Sequence, residues 1–389
     1  MGTKNDVIIA GIGQIPVADH WEVSLRSMAI KAMRAAIVDA GDLKPKALYV
    51  GNILAATLSR QAHLGALLAD FFGLTGIDAS TLEAGGASGG AALRQGYLAV
   101  ASGLVDVALV VGVEKYTDAI GTKGESALAT TMDADYESIH GMTSTAQAAL
   151  LARRYLHEYQ VPAGGLAGFP LTAYSNSKGN KNAMYRGAIT LEDYQKAEPV
   201  CDPLNLFDVA PVADGAAALI LSRRELISTV SPHPVIRVAA SAIACDSLSL
   251  ADRADPLWFT AAQASADEAF QKADINPQQV DLFEYHDAYS IFAALSLEAA
   301  GFARRGRGWQ LAADGSVALT SQIPCATLGG LMARGNPGGA TGIYQAVEAT
   351  LQLRGQAGRN QIANAKFALI QSLGGPASIA VTHILAKEE

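Results

Sequence analysis

The sequence predicts an α/β protein built from two related halves. Half of the 389 residues are hydrophobic and 17% are charged, so the chain has enough apolar side chains for a large buried core. Glycine is frequent, at 38 residues, and aromatic residues make up only 6%. Abundant glycine suits tight strand–helix turns and closely packed layers. Apolar runs without alternation, such as VDVALVVGV at 105–113, are typical of strands buried on both faces and connected by helices.

An internal repeat supports the division into halves. Residues 24–53 contain an alanine-rich amphipathic helix, a D-x-x-P turn and an apolar strand, and residues 258–288 repeat this order. A glycine-rich segment, a small-residue helix and a buried strand follow at 85–113, and again at 335–371. Two such halves packed together predict a layered α/β/α/β/α arrangement.

We expect three units along the chain. Residues 1–118 together with 205–230 form the N-terminal half, and residues 231–389 form the C-terminal half. Residues 119–204 carry Gly, Asn, Lys and Tyr in irregular order, as in AYSNSKGNKNAMYRG, and are predicted to be an inserted loop or cap domain. Loops on a rigid α/β scaffold usually shape the ligand site.

Charge and cysteine content exclude several classes of protein. The formal net charge of -8 and the absence of a long Lys/Arg run argue against a nucleic-acid partner. Cys201, Cys245 and Cys325 are far apart, without CxxC spacing, so we expect neither a zinc site nor a disulfide framework, and a reducing, cytoplasmic environment. A strand begins almost at the N-terminus, which leaves no room for a signal peptide, and no apolar run is long enough to span a membrane.

Four segments are predicted to converge on a ligand site. They are the two glycine-rich helix starts at 85–90 and 335–342, the strand end EYHDAYS at 284–290 and the turn SLGGP at 372–376. None of them is a nucleotide-phosphate motif. A helix N-terminus here would favour negative charge, as on a thioester enolate, or the glycines would only permit close helix packing.

These motifs together resemble the thiolase superfamily. LEAGGASGGAAL, PVADGAAALIL, EYHDAYS, GGLMARGNPGGATGIYQ and SLGGPASIAVTHIL occur in the family's order, and the similarity runs through essentially the whole chain. The branch that it resembles most contains archaeal acetoacetyl-CoA thiolases and sterol-carrier-protein thiolases. The resemblance implies a thiolase-like five-layered fold and coenzyme A thioesters as substrates, with no metal in this chain.

Two residues depart from the family pattern. The stretch that usually reads E-A-x-C-A-S-G-G carries the nucleophilic cysteine, and the matching residue here is Gly86. The family's G-H-P motif reads G-N-P, so Asn336 stands where a histidine would activate the cysteine. Asn336 can donate a hydrogen bond but cannot take a proton near neutral pH. An engineered loss of a natural cysteine would explain Gly86 but not Asn336.

Other parts of the site are retained in the sequence. His286 matches the family's H-D-C-F type motif, which implies that it holds the thioester or enolate oxygen. Backbone N–H groups near Gly86 and Gly375 could complete an oxyanion hole. Tyr289 and Tyr344 lie on motifs expected to face the pocket, where a phenol could serve as acid or base, or could simply pack against helices.

The resemblance also implies binding residues and partners. Ser247 and Ser249 match a segment that lines the pantetheine path of coenzyme A in the family. Relatives are commonly homodimers, and some pair with a small protein containing an OB-fold and a zinc ribbon. We therefore expect an acyl-CoA ligand, a homodimer and such a partner protein, and we expect no membrane or nucleic-acid partner.

Three functions remain open at this stage. The first is aldol or retro-aldol chemistry on an acyl-CoA thioester without a cysteine acyl-enzyme. The second is a non-catalytic subunit of a CoA-dependent complex. The third is an acetyl-CoA acyltransferase that uses a displaced nucleophile such as Cys325, although that residue has no evident activating base nearby in the sequence.

Overall fold

The computed structural model describes residues 6–41, 43–227 and 233–388. The strands found there are β1 (Val7–Gln14), β2 (Ala47–Gly51), β3 (Asp78–Leu82), β4 (Val107–Glu114), β5 (Pro199–Cys201), β6 (Leu204–Asn205), β7 (Gly215–Arg223), β8 (Ile236–Cys245), β9 (Leu282–Glu284), β10 (Phe367–Gly374) and β11 (Ile379–Lys387). The α-helices are α1 (Leu25–Asp39), α2 (Ala55–Leu58), α3 (Leu64–Phe72), α4 (Ser88–Ala101), α5 (Lys123–Leu128), α6 (Ser144–Glu158), α7 (Gly168–Ser177), α8 (Leu191–Lys196), α9 (Thr260–Ala273), α10 (Ser290–Ala299), α11 (Gly308–Ala313), α12 (Gly330–Arg334) and α13 (Thr341–Arg354).

Nine strands form a mixed sheet in two parts. Their order is β3-β2-β4-β7-β1-β8-β11-β10-β9. The two parts meet between β1 and β8, which pair only at Ile8 and Arg237. β2 runs parallel to β3 and β4, and β9 runs parallel to β10, whereas the other neighbours are antiparallel. The apolar runs of the sequence become strands such as β4, in which every residue is buried.

The helices complete the five predicted layers. α1 covers the N-terminal part of the sheet through β1, β7 and β4, and α9 covers the C-terminal part through β8 and β11. α4 and α13 pack against one another and also against strands of both parts. They therefore form the shared middle layer, and the predicted α/β/α/β/α arrangement is confirmed.

Glycine brings the two middle helices into close contact. A Cβ placed on Gly89 would lie 2.8 Å from the Gly339 carbonyl oxygen, and one on Gly342 would lie 2.4 Å from the Gly90 nitrogen. No side chain fits at such separations. At these positions close packing explains the glycines, and it places the start of α4 beside the segment that leads into α13.

The segment 119–204 is more regular than the sequence indicated. It contains α5, α6, α7 and α8, and α6 is a 15-residue helix capped by the Thr143 side chain, which accepts a hydrogen bond from the Ala146 N–H. Apolar residues of α6, such as Leu151 and Tyr155, are buried at helical spacing. The polar stretch AYSNSKGNKNAMYRG, on which the predicted loop or cap rests, lies at 173–187 and covers only the end of α7 and the residues after it, whereas α6 at 144–158 is amphipathic. Across the described residues, no helix is long and apolar enough to cross a membrane.

Candidate functional site

The predicted glycine-rich turns and strand ends surround a cavity of about 90 Å³. Gly86, His286, Tyr289, Asn336 and Gly375 all line it. Gly86 lies two residues before α4, His286 follows β9, Asn336 follows α12, and Gly375 follows β10. The fold therefore brings together residues from four segments that are far apart in the sequence.

Gly86 has no room for a side chain. A Cβ at this position would lie 2.6 Å from the Leu373 carbonyl oxygen and 2.9 Å from Cε1 of His286. Its distance to Nε2 of His286 would be 3.0 Å. The His286 imidazole and the end of β10 therefore occupy the space that a side chain at position 86 would need.

His286 is a neutral, unpartnered imidazole. The side chain is only 4% exposed, and burial lowers its pKa to about 3, with the charge of Arg334 as a smaller cause. Its Nδ1 is buried without a hydrogen-bond partner, and neither ring nitrogen bonds to another described residue. A neutral imidazole carries one N–H donor, so it can hold a ligand oxygen without being protonated first.

Asn336 presents a free donor to the same cavity. Its Oδ1 accepts hydrogen bonds from the Gly338 N–H at 3.1 Å and the Thr341 hydroxyl at 3.2 Å. These bonds orient the amide so that its Nδ2 is left without a partner among the described residues. Asn336 can therefore donate to a ligand oxygen.

Two backbone amides add to these donors. Gly86 and Gly375 lie outside the helices and strands, and neither N–H donates to another described residue within hydrogen-bonding geometry. Gly375 has a positive φ of 52°, which a glycine adopts without strain. The cavity is consequently rich in hydrogen-bond donors, as an oxyanion-binding site must be.

Two tyrosines stay protonated in this setting. Burial raises the pKa of Tyr289 well above its usual range, and its hydroxyl lies 3.1 Å from the Thr145 hydroxyl. Burial also raises the pKa of Tyr116, another lining residue. Both phenols are therefore donors and weak acids near neutral pH rather than bases.

Several lining residues were not predicted from the sequence. Tyr116, Glu125, Thr145 and Gln147 also line the cavity. Tyr116 lies two residues after β4, at the carboxyl end of a buried strand, and this position could have identified it from the sequence. Glu125, Thr145 and Gln147 come from α5 and α6, where no motif distinguishes them from surface residues.

Three other predicted residues lie elsewhere. Tyr344 is fully buried in the core, where its hydroxyl donates to the Ile15 carbonyl and accepts from the Ala216 N–H. The prediction that Tyr344 faces the pocket was therefore wrong. Ser247 does not line the cavity either, and its carbonyl oxygen accepts from Arg253. Ser249 lines a separate groove and caps a 3-10 turn by accepting from the Ala251 N–H.

Cys325 is an inert thiol. It is fully buried, its Sγ lies 3.2 Å from the Ile323 carbonyl oxygen, and it does not line the cavity. Burial raises its pKa well above the usual range, with nearby Glu284 and Asp287 acting in the same direction. A thiol that stays protonated is a poor nucleophile, and the geometry gives no support to a displaced nucleophile at this residue.

Buried carboxylates hold the turns of the site. Asp287 accepts the Leu331 N–H at 2.8 Å, which connects the His286 turn to the start of α12. Glu114 accepts the Ile53 N–H at 2.9 Å and the Gly339 N–H at 3.1 Å. Since each carboxylate joins segments that are distant in sequence, the donors of the cavity are held in place before any ligand binds.

A larger groove adjoins the cavity. Its volume is about 1450 Å³, and Gln147 lines both spaces. Arg153, Arg154 and His157 lie on its wall, as does Ser249. Arg153 is ion-paired with Asp202, and Arg154 is ion-paired with Glu158. Among the described residues, no group of His, Cys, Asp or Glu side chains could hold a metal ion.

The buried histidines make a testable contribution to stability. Burial lowers the pKa of His383 to about 4, whereas an unfolded chain protonates at about 6.5. As pH falls from 6.5 toward 4, only the unfolded state gains this proton, so the folded state loses stability. We expect His383→Gln to lack this loss. Between pH 7.5 and pH 5.0, the unfolding free energy of the variant should therefore rise relative to that of the wild type by up to about 2 kcal/mol. Urea unfolding of both proteins at pH 7.5 and pH 5.0 measures the change, and an identical pH dependence would contradict it.

Comparison with known families agrees with the predicted fold. A family model described as the N-terminal domain of thiolase matches residues 7–225, and one described as thiolase C-terminal domain-like matches residues 242–387. The acetyl-CoA acetyltransferase of Methanothermobacter thermautotrophicus is 39% identical over 386 residues, which cover 98% of this chain and 100% of that protein. The benzoylsuccinyl-CoA thiolase subunit BbsB of Thauera aromatica is 29% identical and covers 92% of this chain, with 91% of its own length matched.

Solved structures share the architecture. An Ltp2-ChsH2(DUF35) aldolase superposes with a TM-score of 0.83 at 24% identity, over 98% of both chains. Human mitochondrial 3-ketoacyl-CoA thiolase in complex with CoA superposes with a TM-score of 0.74 at 18% identity, over 100% of both chains. The two domain matches, together with the full-length relative, place this chain in the thiolase superfamily.

Proposed function

We propose that this protein acts on acyl-CoA thioesters and makes or breaks the carbon–carbon bond next to the thioester by aldol or retro-aldol chemistry, without an acyl-enzyme. The observation that carries the proposal is the crowding at Gly86. The residue that stands where relatives have a nucleophile has no side chain, and a Cβ there would meet His286 and Leu373. The donors around it remain available.

The site supports a noncovalent reaction in the following way. The thioester carbonyl oxygen accepts hydrogen bonds from His286 and Asn336 or from the Gly86 and Gly375 amides. When the Cα–Cβ bond of a β-hydroxyacyl thioester breaks, its electron pair forms an enolate whose oxygen these donors stabilise. His286 is suited to this role because its pKa of about 3 keeps it neutral, with one N–H to donate.

The adjoining groove fits the remainder of a CoA thioester. Arg153 and Arg154 would exchange their ion pairs with Asp202 and Glu158 for the phosphates. The acyl end would pass Gln147, which lines both spaces, to reach His286. The separation of Ser249 from the inner cavity agrees with a role for this residue along the tail and not at the reacting atoms. Ser247 would act only through the Arg253 contact that it makes.

Several further features belong to this proposal. Residues 119–204 act as a cap on two thiolase-like halves, since α5 and α6 contribute to the cavity wall. A homodimer and a small partner protein with an OB-fold and zinc ribbon accompany the activity. The structural neighbour with DUF35 in its name is an aldolase, so this fold is compatible with the reaction class.

A purely structural role explains the site less well. A buried, unpartnered imidazole lowers the stability of a fold, because its polar atoms lose water without gaining a partner. A subunit needed only for assembly would gain from an apolar residue at His286. The cavity donors are better explained by a ligand that they bind.

The first experiment compares two reactions in the same protein. Purified protein is incubated with acetoacetyl-CoA and free CoA while thiolysis and intact protein mass are followed. It is then given a series of 3-hydroxyacyl-CoA thioesters, with aldehyde release as the readout. We expect no acyl adduct and no thiolysis, but cleavage of at least one 3-hydroxyacyl-CoA. An acetyl adduct with turnover would refute the noncovalent mechanism, and failure to cleave any thioester would refute the aldol assignment.

A further inference from the structure

The donor-rich cavity lacks an obvious base. A retro-aldol step requires a group that removes the proton of the β-hydroxyl while the carbon–carbon bond breaks. Asn336 has no basic atom at neutral pH. Tyr116 and Tyr289 hold their protons because burial raises their pKa values. His286 has a pKa lowered to about 3 and is too weak a base for an alcohol.

One carboxylate lines the cavity as well. Glu125 lies on α5 and is the only Asp or Glu among the described residues that line this space. Tyr116 and Tyr289 line the same cavity, and the charge of Glu125 adds a smaller rise to their pKa values, which burial raises. Its side chain forms no hydrogen bond or ion pair with another described residue.

The setting of Glu125 is suited to proton transfer. The residue is exposed as a whole, so its carboxylate has contact with solvent as well as with the cavity. Desolvation on the cavity side raises its pKa above the ordinary value. A carboxylate that is ionised but more basic than usual is a better general base, and the solvent contact lets it equilibrate its proton between turnovers.

We propose that Glu125 is the general base of this site. This inference rests on the proposed function. The Glu125 carboxylate takes the β-hydroxyl proton, the oxygen electrons form the C=O bond of the released aldehyde, and the Cα–Cβ pair moves into the thioester to give the enolate. The protonated Glu125 then returns the same proton to Cα. One β-hydroxyacyl-CoA thus becomes one aldehyde and one shortened acyl-CoA, with no net change in protons or electrons.

The step in which Glu125 returns the proton to Cα can be tested without knowing the acyl group of the natural substrate. A base that protonates Cα also removes a Cα proton in the reverse direction, so the wild-type protein should exchange the α-protons of propionyl-CoA in D₂O. We expect Glu125→Gln to lower the exchange rate by about 10²-fold, and Glu125→Asp to retain part of it. Mass spectrometry of the recovered propionyl-CoA measures exchange, and Glu192→Gln on exposed α8 is the matched control.

The outcomes separate this inference from the proposed function. Glu125→Gln that binds propionyl-CoA normally and exchanges at the wild-type rate would overturn the assignment of the base. Loss of exchange in Glu125→Gln, with no wild-type cleavage of 3-hydroxyacyl-CoA thioesters, would support Glu125 as the base and overturn the aldol reaction. A wild-type protein that neither exchanges nor cleaves would overturn both.

Discussion

Introducing a cysteine at position 86 is expected to produce neither thiolysis nor an acyl-enzyme. In Gly86→Cys the new Cβ would lie 2.6 Å from the Leu373 carbonyl oxygen and 2.9 Å from Cε1 of His286. Real Cβ atoms do not approach other atoms this closely, so the backbone or the imidazole must move. Overpacking of this kind costs about 1–3 kcal/mol of stability. The thiol would also lack an activating histidine, because Asn336 cannot accept a proton.

Two alanine variants separate crowding from chemistry. Gly86→Ala adds the same Cβ without a thiol, so it should lose a similar amount of stability. Gly187→Ala is the control, because no atom lies within 4 Å of a Cβ at that position and its φ is not positive. Urea unfolding gives the stabilities, and intact mass after exposure to acetoacetyl-CoA detects an adduct. A stable Gly86→Cys protein that forms an acetyl adduct would contradict the crowded geometry.

Removing the imidazole of His286 should have the largest effect on catalysis. His286→Ala deletes the side-chain donor that lies beside Gly86, and loss of one oxyanion-hole donor typically lowers kcat by about 10²–10³-fold. The apparent affinity for the thioester should change much less, because the donor acts mainly on the charge that develops in the transition state. Cleavage of a 3-hydroxyacyl-CoA, measured as kcat and KM separately, tests this expectation.

A second buried histidine supplies the control. His383 is also fully buried with an unpartnered Nδ1, but its Nε2 lies 3.1 Å from the Gly90 carbonyl oxygen and it does not line the cavity. His383→Ala should lower stability without a selective fall in kcat. Rates of His286→Ala within about threefold of the wild type would show that His286 does not bind the oxyanion.

Much of the fold could be predicted from the sequence, because local patterns report it directly. The apolar run at 107–114 lacks alternation and became a fully buried strand. The repeated order of helix, turn and strand at 24–53 and 258–288 appears in α1 with β2 and in α9 with β9. In the segment 119–204 the prediction rested on the polar stretch at 173–187 and did not include the amphipathic period of α6 at 144–158.

The site was predictable wherever a motif carried it. Gly86, His286, Asn336 and Gly375 belong to glycine-rich turns and strand ends, whose backbone geometry demands particular residues. Tyr344 shares such a segment yet points into the core, because a helix exposes different residues to different sides and the sequence does not show which side faces the cavity. Glu125 belongs to no recognisable motif, so it can be identified only from its position in the cavity wall.

The sequence by itself determined the layered α/β architecture and the identities of Gly86 and Asn336 in its two glycine-rich segments. These are properties of local pattern and residue identity, which are independent of distant contacts. The tertiary structure alone decided that His286 fills the space beside Gly86, that Cys325 is inert and that Glu125 meets the tyrosines at one cavity. The space around a residue, the burial of its side chain and its approach to other site residues all depend on distances between segments that are remote along the chain. Only the packed fold sets those distances.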